Sequence, residues 1–165
     1  MSDIESRKLA ARVVSHCNKN QIRLALAESC TGGLVAAAIT SVAGASAVFD
    51  LGFVTYSDSS KKDLLGVLPV SLETFGAVSE QVAMEMARGV IERSAATIAL
   101  AISGIAGPGG GSDDKPVGLV YIAWADRGGK GKARKFQFKG SRDEIRQSAV
   151  VASLSMILIE TNGLS

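Results

Sequence analysis

The stretch AESCTGG, Ala27 to Gly33, puts a serine, a cysteine, a threonine and two glycines between the apolar run IRLALA and the helix-forming LVAAAITSVAGA. Ser29 stands where a buried strand is expected to end, the place where open α/β sheets bind ligands, and Gly32 and Gly33 let a backbone approach a substrate closely. Free amides of a helix starting near Thr31 could receive an oxyanion or a phosphate. Taken alone, Ser29 or Thr31 also fits a plain helix cap, and cap serines far outnumber catalytic ones.

A nucleophilic serine needs a base. The usual histidine would have to be His16, the one histidine in the chain, and it falls on a helix that reads as ordinary surface and core packing. Lysine is the other known partner, provided desolvation lowers its pKa enough to leave it neutral. Lys61 has the position for this: on a helix beginning near Asp58 it is expected to share a face with Leu64, Leu65 and Leu68, with Lys62 its less inward neighbour. Tyr56, at the end of the preceding strand, either bridges serine and lysine through its hydroxyl or packs as a strand aromatic, and the residues leave both readings open. Cys30 is expected to face the core as a small apolar residue.

The stretch SGIAGPGGGSDDKPVG joins two apolar runs that read as strands. It is therefore neither a Walker A loop, which needs GK with Ser or Thr before a helix, nor a dinucleotide fingerprint, which must open a helix. Ser103, Gly104, Gly107, Gly109, Gly110 and Gly111, with Pro108 and Pro116, read as a backbone cradle for an anionic group; a flexible connection is the plainer account. Arg142 and Arg146, four apart at the start of the last helix, oppose its dipole, which a ligand phosphate or carboxylate would explain. Surface pairing of Arg142 with Asp143 and Glu144 is the alternative.

These residues must be positioned by regular elements. Leu9, Val13 and Cys17 recur at helical spacing, predicting a first helix from Asp3 to about Cys17, followed by the strand IRLALA and a helix from about Thr31 to Val42. VFDLGFVTYS reads as a second strand, and Ser57 or Asp58 as the cap of a short helix. Pro69 and Gly76 punctuate an expected loop, after which Ser79 caps a helix with Val82, Met86 and Val90 inward. ATIALAIS has the look of a fully buried strand. Two further strands joined by DRGGKG precede a last helix from about Arg142 to Glu160, with Ile145, Ala149, Ala152, Met156 and Ile159 inward. The order predicts a three-layer α/β/α sandwich with a mixed, mostly parallel sheet, and one domain over residues 1–165.

Composition narrows the function classes. The chain has 165 residues, 47% hydrophobic and 5% aromatic, with a net charge of +2. That charge gives no nucleic-acid footprint, and RGGKGKARKFQFKG reads as a hairpin with a wet basic face, so no nucleic-acid partner is expected. Cys17 and Cys30 have no metal-ligand spacing, so no metal is expected. No apolar run reaches the length of a membrane span and the charged start is unlike a signal peptide, giving the expectation of a cytoplasmic protein with no membrane partner. The apolar last helix suggests a homodimer.

AESCTGG, GFVTYS followed by Lys61 and LGV, GAVSE, SGIAGPGGGSDDKPVG and SRDEIRQSA, in this order and spacing, resemble the C-terminal domain of the competence/damage-inducible CinA family over nearly the whole chain. Its standalone members are nicotinamide-nucleotide amidohydrolases. The resemblance implies hydrolysis of the carboxamide of nicotinamide mononucleotide to nicotinate mononucleotide and ammonia, without a cofactor. It implies Ser29 as nucleophile, Lys61 rather than Lys62 as base, and Tyr56 as an assisting group. Amides near Cys30, Thr31, Gly32 and Gly33 are expected to hold the oxyanion, and the glycine-rich loop with Arg142 and Arg146 the substrate phosphate. Longer members carry a domain resembling molybdopterin-cofactor binding proteins, whose activities are not expected here. The alternatives are a non-catalytic nucleotide-binding or regulatory module, and a hydrolase of another small amide.

Overall fold

Residues 2–162 are described by a computed structural model; Met1 and residues 163–165, part of the expected domain, lie outside the described residues. Five strands form one sheet in the order β2-β1-β3-β4-β5: β1 (Leu24–Glu28), β2 (Phe49–Val54), β3 (Ile98–Gly104), β4 (Leu119–Asp126) and β5 (Gly131–Gln137). β1 runs parallel to β2 and β3, while β4 is antiparallel to β3 and β5, so β4 alone opposes the other four. The central strands LALAE and IALAISG are continuous apolar runs because both sheet faces are covered by helices.

Side-chain alternation gives those two faces different textures. Leu24, Leu26, Leu100 and Ile102 meet α1 (Ser2–Lys19), α2 (Leu34–Thr40) and α6 (Arg142–Thr161) on one face. Ala25, Ala27, Ala99, Ala101 and Ala123 form the other, a low alanine floor on which α5 (Glu80–Glu92) lays Val82, Met86 and Val90. Each of those larger side chains contributes about 1.5–3 kcal/mol of burial. α3 (Asp58–Leu65) and α4 (Pro69–Phe75) pack on α5 in turn. The contact of α3 with α5 is at backbone range: a Cβ on Gly89 would come within 2.0 Å of the Leu65 carbonyl oxygen.

The helix starts follow cap chemistry. Ser57 accepts from the Ser60 amide at 3.1 Å, Ser79 from Val82 at 3.3 Å, and Ser141 with Glu144 completes a capping box on α6. α2 starts at Leu34, later than the expected Thr31, with Gly33 in its cap position at φ +98°. The expected loop between Pro69 and Gly76 is the helix α4. Pro69 supplies a helical φ at its first turn, and the Glu85 carboxylate accepts from the Leu68 amide and the Ser71 hydroxyl.

Leu64 and Leu68 face solvent, so Lys61 shares its inward face with Leu65 alone of the three expected leucines. On α6, Ile159 is also exposed; the buried stripe runs through Ile145, Ala149, Val150, Leu154 and Ile157. α1 and the sheet cover that stripe. Among the described residues no helix is long and apolar enough to cross a membrane.

Candidate active site

Three chain segments converge at one end of the sheet. β1 ends at Glu28, and the amide of Ser29 continues its pairing with β3 by donating to the Ile102 carbonyl at 2.9 Å. On the other side, the Thr55 amide donates to the Glu28 carbonyl at 2.9 Å, placing the start of α3 beside Ser29. From α3, Lys61 reaches inward and is 1% exposed. Its Nζ donates to the Thr55 carbonyl at 2.9 Å and to Ser29 Oγ at 3.1 Å. Burial pushes the Lys61 pKa below the ordinary lysine range, against weaker upward pulls from Asp58 and Cys30. Among the described residues, no carboxylate forms an ion pair with Lys61.

The turn after Ser29 is gripped from both sides. Glu28, 1% exposed, accepts at Oε2 from the amides of Gly33 (3.0 Å) and Val35 (3.1 Å) and at Oε1 from Ala36 (2.8 Å). The expected free amides at the start of α2 are thus satisfied inside the protein, by a carboxylate where the helix dipole favours one. Neither Ser29 nor Thr31 is the cap. From α6, Arg146 donates through Nε to the Cys30 carbonyl at 3.1 Å and through Nη2 to the Thr31 carbonyl at 3.2 Å. Gly32 and Gly33 both hold positive φ, +59° and +98°, as the tight turn requires. Among the described residues, the amides of Cys30 and Thr31 bond to no other residue. Burial pushes the Cys30 thiol up to about 11.

Ser29, Cys30 and Lys61 open onto a cleft of about 260 Å³, also lined by Tyr56, Asp58, Ser103, Gly104, Gly107, Gly109, Gly110 and Arg142. Arg142 crosses the rim, donating from Nη1 to the Gly107 carbonyl at 2.7 Å and from Nη2 to the Tyr56 hydroxyl at 2.8 Å. Tyr56 is 60% exposed and does not bridge Ser29 and Lys61, which meet directly. Ser103 spends its hydroxyl on the Ala77 carbonyl at 2.7 Å. Thr31, Gly32, Gly33 and Arg146 do not line the cleft; they form the turn and its backing. The loop glycines divide by cause. A Cβ on Gly104 or Gly107 would strike Val120 or Val117, whereas one on Gly109 would meet nothing within 4 Å. A larger groove of about 440 Å³ between α1, α2 and α6 contains none of the expected site residues.

The family model of the CinA C-terminal domain matches residues 6–161. The chain belongs to the CinA C-terminal domain family. This CinA-family chain is 54% identical over 134 residues, 81% of its length, to "Nicotinamide-nucleotide amidohydrolase PncC" of Enterobacter agglomerans, covering 82% of that protein. It is 45% identical over 157 residues to the protein of the same name from Escherichia coli K12, with 95% of each chain covered. The competence/damage inducible protein CihA of Agrobacterium tumefaciens has the same CinA-type fold, with a TM-score of 0.92, 46% identity and 94% of both chains covered.

Two groups of the CinA site escaped sequence reasoning. Thr55 acts through its backbone carbonyl, which leaves no mark in residue type. Glu28 had a signal: a carboxylate ending a strand just before Gly-Gly and a helix start is placed to cap that helix.

Proposed function

We propose that this chain hydrolyses the carboxamide of nicotinamide mononucleotide, giving nicotinate mononucleotide and ammonia, with Ser29 as nucleophile and Lys61 as base. The observation that carries the reading is the 3.1 Å contact between Ser29 Oγ and a buried Lys61 Nζ that has no anionic partner among the described residues. The names of the two amidohydrolase relatives supply the substrate class. A neutral amine can keep donating to the Thr55 carbonyl while its lone pair accepts the serine proton.

In the reaction, Ser29 Oγ attacks the carboxamide carbon as its proton passes to Lys61 Nζ. The oxygen of the tetrahedral intermediate takes up negative charge beside the amide of Cys30, which lines the cleft. The carbon–nitrogen bond then breaks, the lysine proton leaves with ammonia, and an ester on Ser29 remains. Water attacks that ester, delivering a proton through Lys61 to the departing Ser29 oxygen. Arg142 and the glycine-rich loop, at the cleft rim, are the groups that take the substrate phosphate in this reading. Arg146, expected from the sequence to share that task, is engaged with the carbonyls of Cys30 and Thr31 instead.

Ammonia release from nicotinamide mononucleotide by wild type and Ser29→Ala, in the presence of a chelator, tests the proposal. Release by wild type alone supports it. Release by neither removes the substrate assignment, and equal release by both removes the nucleophile.

A further inference from the structure

We infer that Glu28 is a positioning residue for this hydrolysis, setting the turn that carries Ser29 and the cleft-lining Cys30 with its amide; the inference rests on the function proposed above. Its carboxylate is buried, and among the described residues it has no cationic partner; its three hydrogen bonds go to Gly33, Val35 and Ala36. A cap for α2 alone needs only a small polar residue at the helix start, where this chain has Gly33. Here the capping group comes instead from the residue before the nucleophile and reaches across five positions. The bond to Gly33 closes a ring of chain that contains Ser29, Cys30, Thr31 and Gly32.

Arg146 holds the other side of the same ring. In a trans peptide the C=O and N–H point in opposite directions. With the Cys30 carbonyl held on Arg146, the Thr31 amide of that peptide is therefore aimed away from Arg146. Glu28 grips the amides following the turn and Arg146 the carbonyls within it, so the intervening peptides have little freedom to rotate. Glu28 also fills the start of α2 with negative charge.

The test compares wild type, Glu28→Gln and Glu28→Ala in two assays on folded protein: ammonia release from nicotinamide mononucleotide, and the rate at which a fluorophosphonate probe labels Ser29. The expected result is a kcat lower by about 10²-fold in Glu28→Ala with KM nearly unchanged, slower labelling, and an intermediate position for Glu28→Gln, which keeps one acceptor oxygen. If Glu28→Ala does not fold, Glu28→Gln carries the comparison. Variants with lowered melting temperature but wild-type kcat and labelling would show a merely structural cap and overturn the inference. If wild type releases no ammonia, the substrate reading fails by itself and the labelling rates still decide. Wild type that is not labelled lacks an activated serine, and the inference falls with it.

Discussion

The side-chain nitrogen of Lys61 and the hydroxyl oxygen of Ser29 lie 3.1 Å apart, although 32 residues separate them in the chain. The lysine has exchanged water for a hydroxyl and a peptide carbonyl, neither of which carries the charge that would compensate a buried ammonium. The neutral amine is the form this seat favours. That preference is testable by pH in two independent ways.

Activity is expected to rise with pH along a limb of kcat/KM centred below the ordinary lysine value of about 10.4. Stability follows from the same depressed pKa. Between the lowered folded value and the ordinary unfolded value the unfolded chain binds more protons, so Lys61 makes stability rise as pH rises through that window. Below the folded value the gain is absent. Urea melts across pH should show this slope in wild type and not in Lys61→Met; parallel slopes would mean that burial does not perturb the lysine.

Cys30 is next to Ser29 and lines the cleft, yet burial raises its thiol pKa to about 11. Little thiolate exists at neutral pH. Cys30→Ala should keep kcat within about threefold of wild type, and iodoacetamide should inactivate wild type no faster than the variant. Loss of turnover restricted to thiol-modified wild type would make the sulfur a participant.

Arg142→Ala should raise KM for the mononucleotide by about 10- to 100-fold, the loss of one charge-assisted contact to phosphate. Tyr56→Phe removes only the hydroxyl that accepts from Arg142 and should raise KM by a smaller factor with kcat retained. A collapse of kcat in Tyr56→Phe would restore a proton-relay role for the tyrosine.

Gly107→Ala should be destabilised, because the added carbon meets Val117 at 2.5 Å and the residue has φ +77°. Gly109→Ala has open space and no positive φ to defend, so its melting temperature should stay at the wild-type value. If the loop receives substrate, Gly109→Ala raises KM all the same. An unchanged KM would place the ligand elsewhere.

The layered fold was legible because buried strands without alternation are a local pattern; Lys61 was a candidate by helix position, and it was the resemblance to the CinA family that selected it over Lys62. What escaped depended on neighbours distant in sequence. Pro69 and Gly76 read as punctuation, although Pro69 starts α4, which the Glu85 side chain of α5 then caps. Arg146 read as a phosphate ligand because its carbonyl partners lie more than a hundred residues earlier. Leu64 and Ile159 match helical spacing, but they lie 44% and 56% exposed on the outer faces of their helices.

Gly89 lies outside the cleft lining and carries no side chain, yet it sets how closely the helix bearing Lys61 is seated. Any larger residue there must lift α3 away from α5 and draw Lys61 away from Ser29. A descendant of this chain could therefore fall silent while every recognisable motif stayed intact. Inheritance of the motifs is thus a weaker guarantee of turnover than inheritance of the motifs together with the glycine beneath them.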